Sequence, residues 1–418
     1  GKQIGIKNEG TLNFYDGKIQ GTASIQGNVT NTPVEYGPVS TNYENGITTV
    51  QLGIVSGYEA RIEWVYYTTV QGAVNATKTN VSEEDRETVT IIKDIQLKEI
   101  LEINMAKNML LDLNGNTLTI TEKDRVINNI GNLEIIDSSI EQVGKITNTS
   151  NRKGTNSNKI YTTGIYNSGN QNLKISGGII ETNSTNSYNY STVIYNENNG
   201  TIEITEGIIN SSGSNDKNYG IYNKNNGIIK IMGGTVNGNN DNKSSYGIYN
   251  ESSGTIKIEG GTINNDNNYD DGNTYGVYNA SSGTVEVTGG IISNKGKRAS
   301  YGIYNSGTGS IIVKNGTVNS SINNNNYASH GIYNYRGTVE IIGGIINSSN
   351  NGLDDSYGIF NDSIGNIKIK GGVINSSSNN NSSNIYGIYN RDSGKVEIIE
   401  GVISSIGSGN PYGIYNYG

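Results

Sequence analysis

The sequence predicts an all-β solenoid, a parallel β-helix of about 27–28 residues per turn. Three observations predict it. A phrase that reads Tyr246-Gly247-Ile248-Tyr249-Asn250 at its clearest recurs along the chain, closing at Asn167, Asn196, Asn223, Asn250, Asn279, Asn305, Asn334, Asn361, Asn390 and Asn416. Nine intervals cover the 249 residues from Asn167 to Asn416, a mean of 27.7. Aliphatic residues recur at fixed offsets within each interval. Length varies at one loop per interval, as in 211–218, 265–274, 320–329 and 376–385, so insertions fall along one edge of the stack.

The aliphatic offsets define the turn. In Ile256-Lys257-Ile258, alternation places both Ile side chains on one face and Lys257 on the other. Four columns follow, starting at Ile202, Ile204, Ile209 and Ile221 and ending at Val396, Ile398, Ile403 and Ile414. Nearly all members are β-branched, as a packed strand surface favours. Four inward columns in so short a period require three strands per turn, with turns stacked about 4.8 Å apart. Gly pairs such as Gly260-Gly261 and Gly371-Gly372 mark a bend that needs positive φ or close backbone approach.

Taken in order, residues 1–32 resemble end rungs of an upstream module, through Gly5-Ile6-Lys7-Asn8-Glu9-Gly10-Thr11-Leu12. Residues 33–65 hold Pro33 and Pro38 and read as a connector with a β-hairpin. Residues 66–87 change period: Val70, Ala73, Val74 and Thr77 sit at helical spacing, with Thr68 or Thr69 as the cap, and predict a helix closing the open end of the solenoid. Residues 88–160 read as irregular first rungs, and 161–418 as the regular array. The chain opens and closes inside rungs, so the expectation is either an excerpt of a longer protein or copies that stack end to end.

Composition narrows the function. The 418 residues are only 33% hydrophobic, and the net charge is −8 with pI about 5.0. Lys and Glu are interspersed with no basic patch, which argues against a nucleic-acid partner. There is no Cys, so neither disulfides nor thiol chemistry is available, and no apolar run reaches membrane-spanning length.

Each repeated side chain has an expected role. The closing Asn follows an inward Ile by two positions, so it points inward, and stacked amides form a structural ladder. The first Tyr of the phrase shares parity with the inward Ile and is expected at a corner of the core. The second Tyr (Tyr166, Tyr195, Tyr222, Tyr249, Tyr278, Tyr304, Tyr333 and Tyr389, with Phe360 in the same row) has the opposite parity and forms an external stripe. That stripe reads either as ring-on-ring stacking along the axis or as a platform for sugar rings. Outward charges at Lys174, Glu203, Lys230, Lys257, Glu286, Glu340, Lys368 and Glu397 mostly alternate in sign and predict cross-strand ion pairs. Asp266, Asp270 and Asp271 could supply oxygens to calcium, but a surface ion cluster with Lys295, Lys297 and Arg298 is the simpler account. Asp354-Asp355 is the other carboxylate pair. His330 fills a slot that Tyr fills in neighbouring repeats, so a ring replaces a ring, and Trp64 reads as packing.

The pattern resembles the right-handed parallel β-helices of the pectate-lyase-like group. Lys107-Asn108-Met109-Leu110-Leu111-Asp112-Leu113-Asn114-Gly115-Asn116-Thr117-Leu118 looks like the start of β-helix regions in large surface proteins of Gram-positive bacteria. The likeness spans most of residues 66–418, and it implies the fold rather than a task, because this fold hosts lyases, hydrolases, tailspikes and adhesins. The Asn-Thr-Asp, Gly-His-Gly and Arg-Ile-Lys phrases of its enzymes do not occur here. The expectation is therefore a non-enzymatic structural or adhesive rod at the bacterial surface, without cofactor, that self-associates or joins flanking modules. The alternative is a polysaccharide-degrading or glycan-binding β-helix that uses the tyrosine stripe.

Overall fold

The computed structural model describes the chain apart from residues 1–3, 16, 22, 27, 28, 30, 31, 33–35, 45, 46, 64, 153, 156–158, 186, 241, 242, 268–270, 323–325 and 418. Pro33, Trp64 and Asp270 therefore lie outside the described residues. From residue 87 onward the chain coils into a right-handed parallel β-solenoid. Three strands per turn form as the spacing requires. One, ending in the ladder Asn, builds a 12-stranded parallel sheet from Leu101–Ile103 to Asn410–Tyr417. The other two, the Ile-x-Ile strand and the strand after the Gly pair, lie together in a 22-stranded sheet.

Identical residues pair with identical residues. Ile229↔Ile256, Lys230↔Lys257 and Ile231↔Ile258 are partners in one ladder, and Tyr219↔Tyr246, Ile221↔Ile248 and Asn223↔Asn250 in another. All four aliphatic columns face inward: Ile204, Ile231, Ile258, Val287, Val313, Ile341 and Ile369 are fully buried, as are their counterparts in the other columns. The columns open only in the last turn, where Ile398 and Ile414 are exposed. The Gly pairs bend as expected, with Gly261 at φ +66° and its successors likewise positive. A side chain at Gly261 would also strike the Gly233 carbonyl of the turn below.

The first turn has a covered edge. The hairpin of Ala60–Ile62 and Val65–Tyr67 lies antiparallel against Glu87–Ile91, which pairs on its other side with Asn108–Asp112. The helix Val70–Ala76 follows, and Thr69 is its cap, with Oγ1 accepting the Gly72 N–H at 3.0 Å. Val70, Ala73, Val74 and Thr77 are buried, as their spacing predicts. Two features were not legible. The Gln71 amide acts as a strand surrogate, donating to the Glu102 carbonyl at 3.1 Å and accepting its N–H at 2.8 Å. Lys107 donates to the Asn75 and Thr77 carbonyls at the helix C-terminus, and its burial pushes its pKa down.

Ahead of the solenoid, Ile4–Lys7 runs parallel to Ala23–Gln26, while Lys18–Gly21, Tyr36–Glu44 and Ile47–Ile54 form an antiparallel sheet. Phe14 and Val50 centre a small cluster of their own.

Most of the outward charges pair, but by a mixed route, and Lys257 lies over the like-charged Lys230. Lys174–Glu134 (3.1 Å) and Lys368–Glu397 (2.9 Å) bond along the predicted column. Glu286 instead reaches Lys314 at 2.6 Å, and Glu340 reaches Lys370, both across the bend. Side chains this long choose among several neighbours, so parity alone does not fix the partner.

Replacing Ile258 by Ala should lower the unfolding free energy by about 3 kcal/mol through lost burial and a residual cavity, whereas Lys257→Ala should change it by under about 0.5 kcal/mol. Urea denaturation followed by far-UV circular dichroism checks the contrast.

Candidate functional site: the asparagine and tyrosine columns

The asparagine ladder forms in full. Nδ2 of Asn167 donates to Oδ1 of Asn196 at 2.8 Å, Asn196 to Asn223 at 2.7 Å, Asn223 to Asn250 at 2.7 Å, and so on to Asn390 and Asn416 at 2.6 Å. It begins one turn earlier than expected, because Asn129 donates to Asn167 at 2.8 Å. Below it, Ile103 occupies the equivalent position and ends the run. The other amide hydrogen goes to a local carbonyl, as from Asn250 to Gly254 at 3.0 Å and from Asn279 to Gly283 at 2.8 Å. From Asn196 to Asn390, both donors of the amide are thus satisfied. This explains the Gly that precedes each Ile-x-Ile strand: a Cβ on Gly227 would lie 2.6 Å from Asn196 Nδ2.

The second tyrosines also stack. From Tyr166 to Tyr415 through Phe360, successive rings lie 4.7–5.3 Å apart at interplanar angles of 4–24°. The first tyrosines correct an expectation. They do not line the aliphatic core but form a parallel column on the outside, from Tyr219 to Tyr412, with rings 4.8–5.3 Å apart. Within each turn the two rings meet edge to face at 4.9–5.4 Å, as Tyr219 meets Tyr222. The intervening glycine is the cause. Gly220 and Ile221 both face inward, so alternation slips by one. A Cβ on Gly220 would lie 2.6 Å from Val236 Cγ1 of the facing wall. Only glycine lets that wall approach, and the slip turns both tyrosines outward.

Carboxylates edge this double column. Tyr222 donates its hydroxyl to Glu251 at 2.7 Å, Tyr333 to Asp362 at 2.8 Å, and Tyr166 to Glu197. Each acid directly follows a ladder Asn one turn on, a regularity that the sequence held but parity counting passed over. Lys224 pairs with Glu197, and Arg391 with Asp362 at 2.7 Å. The Lys224 and Tyr166 hydrogen bonds hold Glu197 below the usual carboxylate range. Burial pushes the Tyr222 phenol upward, and its bond to Glu251 adds to this. Arg125 lies 4.0 Å over the Tyr166 ring and covers the foot of the column.

His330 takes the tyrosine slot as expected. It stacks 4.8 Å from Tyr301 and 4.9 Å from Tyr357 and is buried. Among the described residues its Nδ1 has no partner, and burial pushes its pKa down to about 3, against a backbone hydrogen bond with Ala328.

The opposite corner holds an array that sequence reading missed. Ser211 bonds Ser191 at 3.0 Å, Ser320 bonds Ser300 at 2.9 Å, and Ser376 bonds Ser356 at 2.9 Å, all buried. These hydroxyls sit at the start of the variable loops, where a Ser-rich stretch reads as solvent-facing.

Of the weaker candidates, Asp270 lies outside the described residues, and Asp266 and Asp271 meet different partners. Asp271 receives Arg298 on its backbone carbonyl at 2.9 Å rather than on its carboxylate, and Arg298 lies over the Tyr327 ring. Asp266 is the register partner of Lys295. Among the described residues no three metal-ligating side chains gather. Asp355 accepts from Tyr357 at 2.9 Å and from the Asn384 N–H at 2.7 Å, while burial pushes Asp354 upward. Among the described residues no helix is long and apolar enough to cross a membrane.

Asn250→Ala should cost about 2–4 kcal/mol, since Asn223 Nδ2 and Asn279 Oδ1 lose their partners inside the wall; chemical denaturation against the parent measures it. His330 yields a second test. As pH falls below about 6.5 the unfolded chain binds a proton that folded His330 refuses down to about 3, so stability is lost on acidification. His330→Tyr should remove about 2 kcal/mol of the loss between pH 8 and pH 5, read from melts of both proteins at the two pH values. Comparison with protein-family models, with curated proteins and with solved structures found no match.

Proposed function

We propose that this chain is a non-enzymatic structural or adhesive element, a stiff β-solenoid rod displayed outside a bacterial cell. One observation carries the reading: the side chains that could do chemistry are already spent on the rod itself. The tyrosine faces are covered by neighbouring rings, so the column offers ring edges to solvent. Sugar stacking requires a ring face, which weighs against the stripe as a glycan platform. The carboxylates beside it are held by tyrosine hydroxyls, lysine and arginine. Acid–base cleavage of a polysaccharide needs two carboxyls with opposed proton affinities flanking one bond, and the column supplies ones already bonded to tyrosine, lysine or arginine.

Stiffness follows from stacking. From the turn of Tyr219 onward, each turn bonds to the next through three strands, an amide ladder and two ring columns. The Cys-free, acidic composition suits a surface protein that folds without oxidation. The likeness to pectate-lyase-like β-helices of Gram-positive surface proteins supports the same placement.

Incubation with pectin, alginate and host glycans should yield no new reducing or unsaturated ends, while electron microscopy shows an unbranched rod. Release of such ends, abolished by substitution of a named carboxylate, would overturn the proposal.

A further inference from the structure

One face of the rod differs from the rest. The strand after the Gly pair turns three side chains outward per turn over eight turns, from Ile208, Asn210 and Ser212 in the first to Val402, Ser404 and Ile406 in the last. Of these 24 positions only Asp266 and Lys295 are charged, and they are register partners of opposite sign. On the adjoining Ile-x-Ile strand, eight of 16 outward positions over the same turns are charged. The depletion is local and sits on a chain of net charge −8.

The chemistry of this face is equally regular. Its first row holds only Ile, Thr and Val, including the exposed Ile208, Ile291 and Ile345. Its second row is Asn and Ser, and these amides bond to each other along the axis: Asn347 to Asn319 at 2.8 Å and Asn375 to Asn347 at 2.9 Å. That ladder holds the polar row flat and uses part of its hydrogen-bonding capacity internally, which lowers the cost of taking it out of water.

We propose that this uncharged face is a lateral interface on which a second copy of the chain packs side by side, sheet against sheet. The occupant follows from area and charge. Eight turns at about 4.8 Å and five residues at about 3.3 Å give roughly 650 Å² per copy, hence about 1,300 Å² in total, inside the range of specific protein pairs. Interface centres are depleted of charge, and two acidic rods approach with least repulsion where neither carries charge. The same repeat on both copies supplies the matching surface that a twofold contact requires. The inference deepens the structural reading above, since side-by-side pairing thickens a rod without using its ends.

Sedimentation velocity across a concentration series tests it, with small-angle scattering on the same samples. A dimer of nearly unchanged length and greater thickness is expected, and it should persist in high salt. Thr317→Lys with Asn347→Lys, which charges the centre of the face, should weaken the dimer at least tenfold. Thr284→Lys with Thr338→Lys, which adds the same charge to the adjoining strand, should leave it in place. Circular dichroism of both variants checks that the solenoid is folded. A monomer at all concentrations, a dimer of doubled length, or equal loss in both variants overturns the lateral interface. None of those outcomes bears on the rod's lack of catalysis, which the glycan incubation decides separately.

Discussion

Parallel hydrogen bonding between successive turns, at about 4.8 Å, is the constraint from which the other features follow. It places each side chain directly over its counterpart one turn below. A residue type therefore succeeds at a position only if it packs against itself. Isoleucine and valine do so by interdigitating branched carbons. Asparagine does so because its amide carries donor and acceptor on one group, so a buried file of amides satisfies itself. Tyrosine does so because rings at this spacing stack with small interplanar angles. Charges do so poorly when alike, which is why signs vary along the outward column and why lysines reach diagonally to find carboxylates.

The corners follow from the same constraint. Two walls of the solenoid press together where the Gly of Tyr-Gly-Ile-Tyr faces the third aliphatic column. A second close approach occurs where the Gly of Gly-Thr-Ile passes beneath the amide ladder. At both places the glycine is selected by what lies opposite it. The first has a larger consequence than a tight fit: by letting two neighbouring residues face inward, it shifts the parity of the strand and brings both tyrosines to the outside. The edge-to-face pairing of the two columns is a product of that slip.

The sequence reveals what repeats and conceals what breaks repetition. Columns such as Ile204, Ile231 and Ile258, the amide ladder and the His330 substitution were all legible from spacing, because each obeys a period, while residue type narrowed the helix cap to Thr68 or Thr69. The first tyrosine was misplaced because parity counting assumes strict alternation, and Gly220 carries no side chain to declare which way it faces. Asn129 was passed over because its turn has an irregular length. Gln71 was invisible because a side-chain amide standing in for a strand leaves no periodic mark. The buried serines were hidden by composition, since Ser and Asn in a variable stretch look like loop even where their first residues lie inside the wall.

These distinctions bear on where function resides. In a fold whose interior and stripe are consumed by self-contact, a site of chemistry would appear as a break in the columns, a place where a side chain lacks its neighbour above or below. His330 and Phe360 are such breaks in sequence, yet both are filled ring for ring and stack like the tyrosines they replace. The irregularities that do alter the surface are the edge loops and the uncharged face of the larger sheet. A surface tuned by removing charge, rather than by gathering it, is suited to association. On the proposed reading, the informative variation of this chain lies in what its rods touch, with the columns serving to hold those surfaces straight.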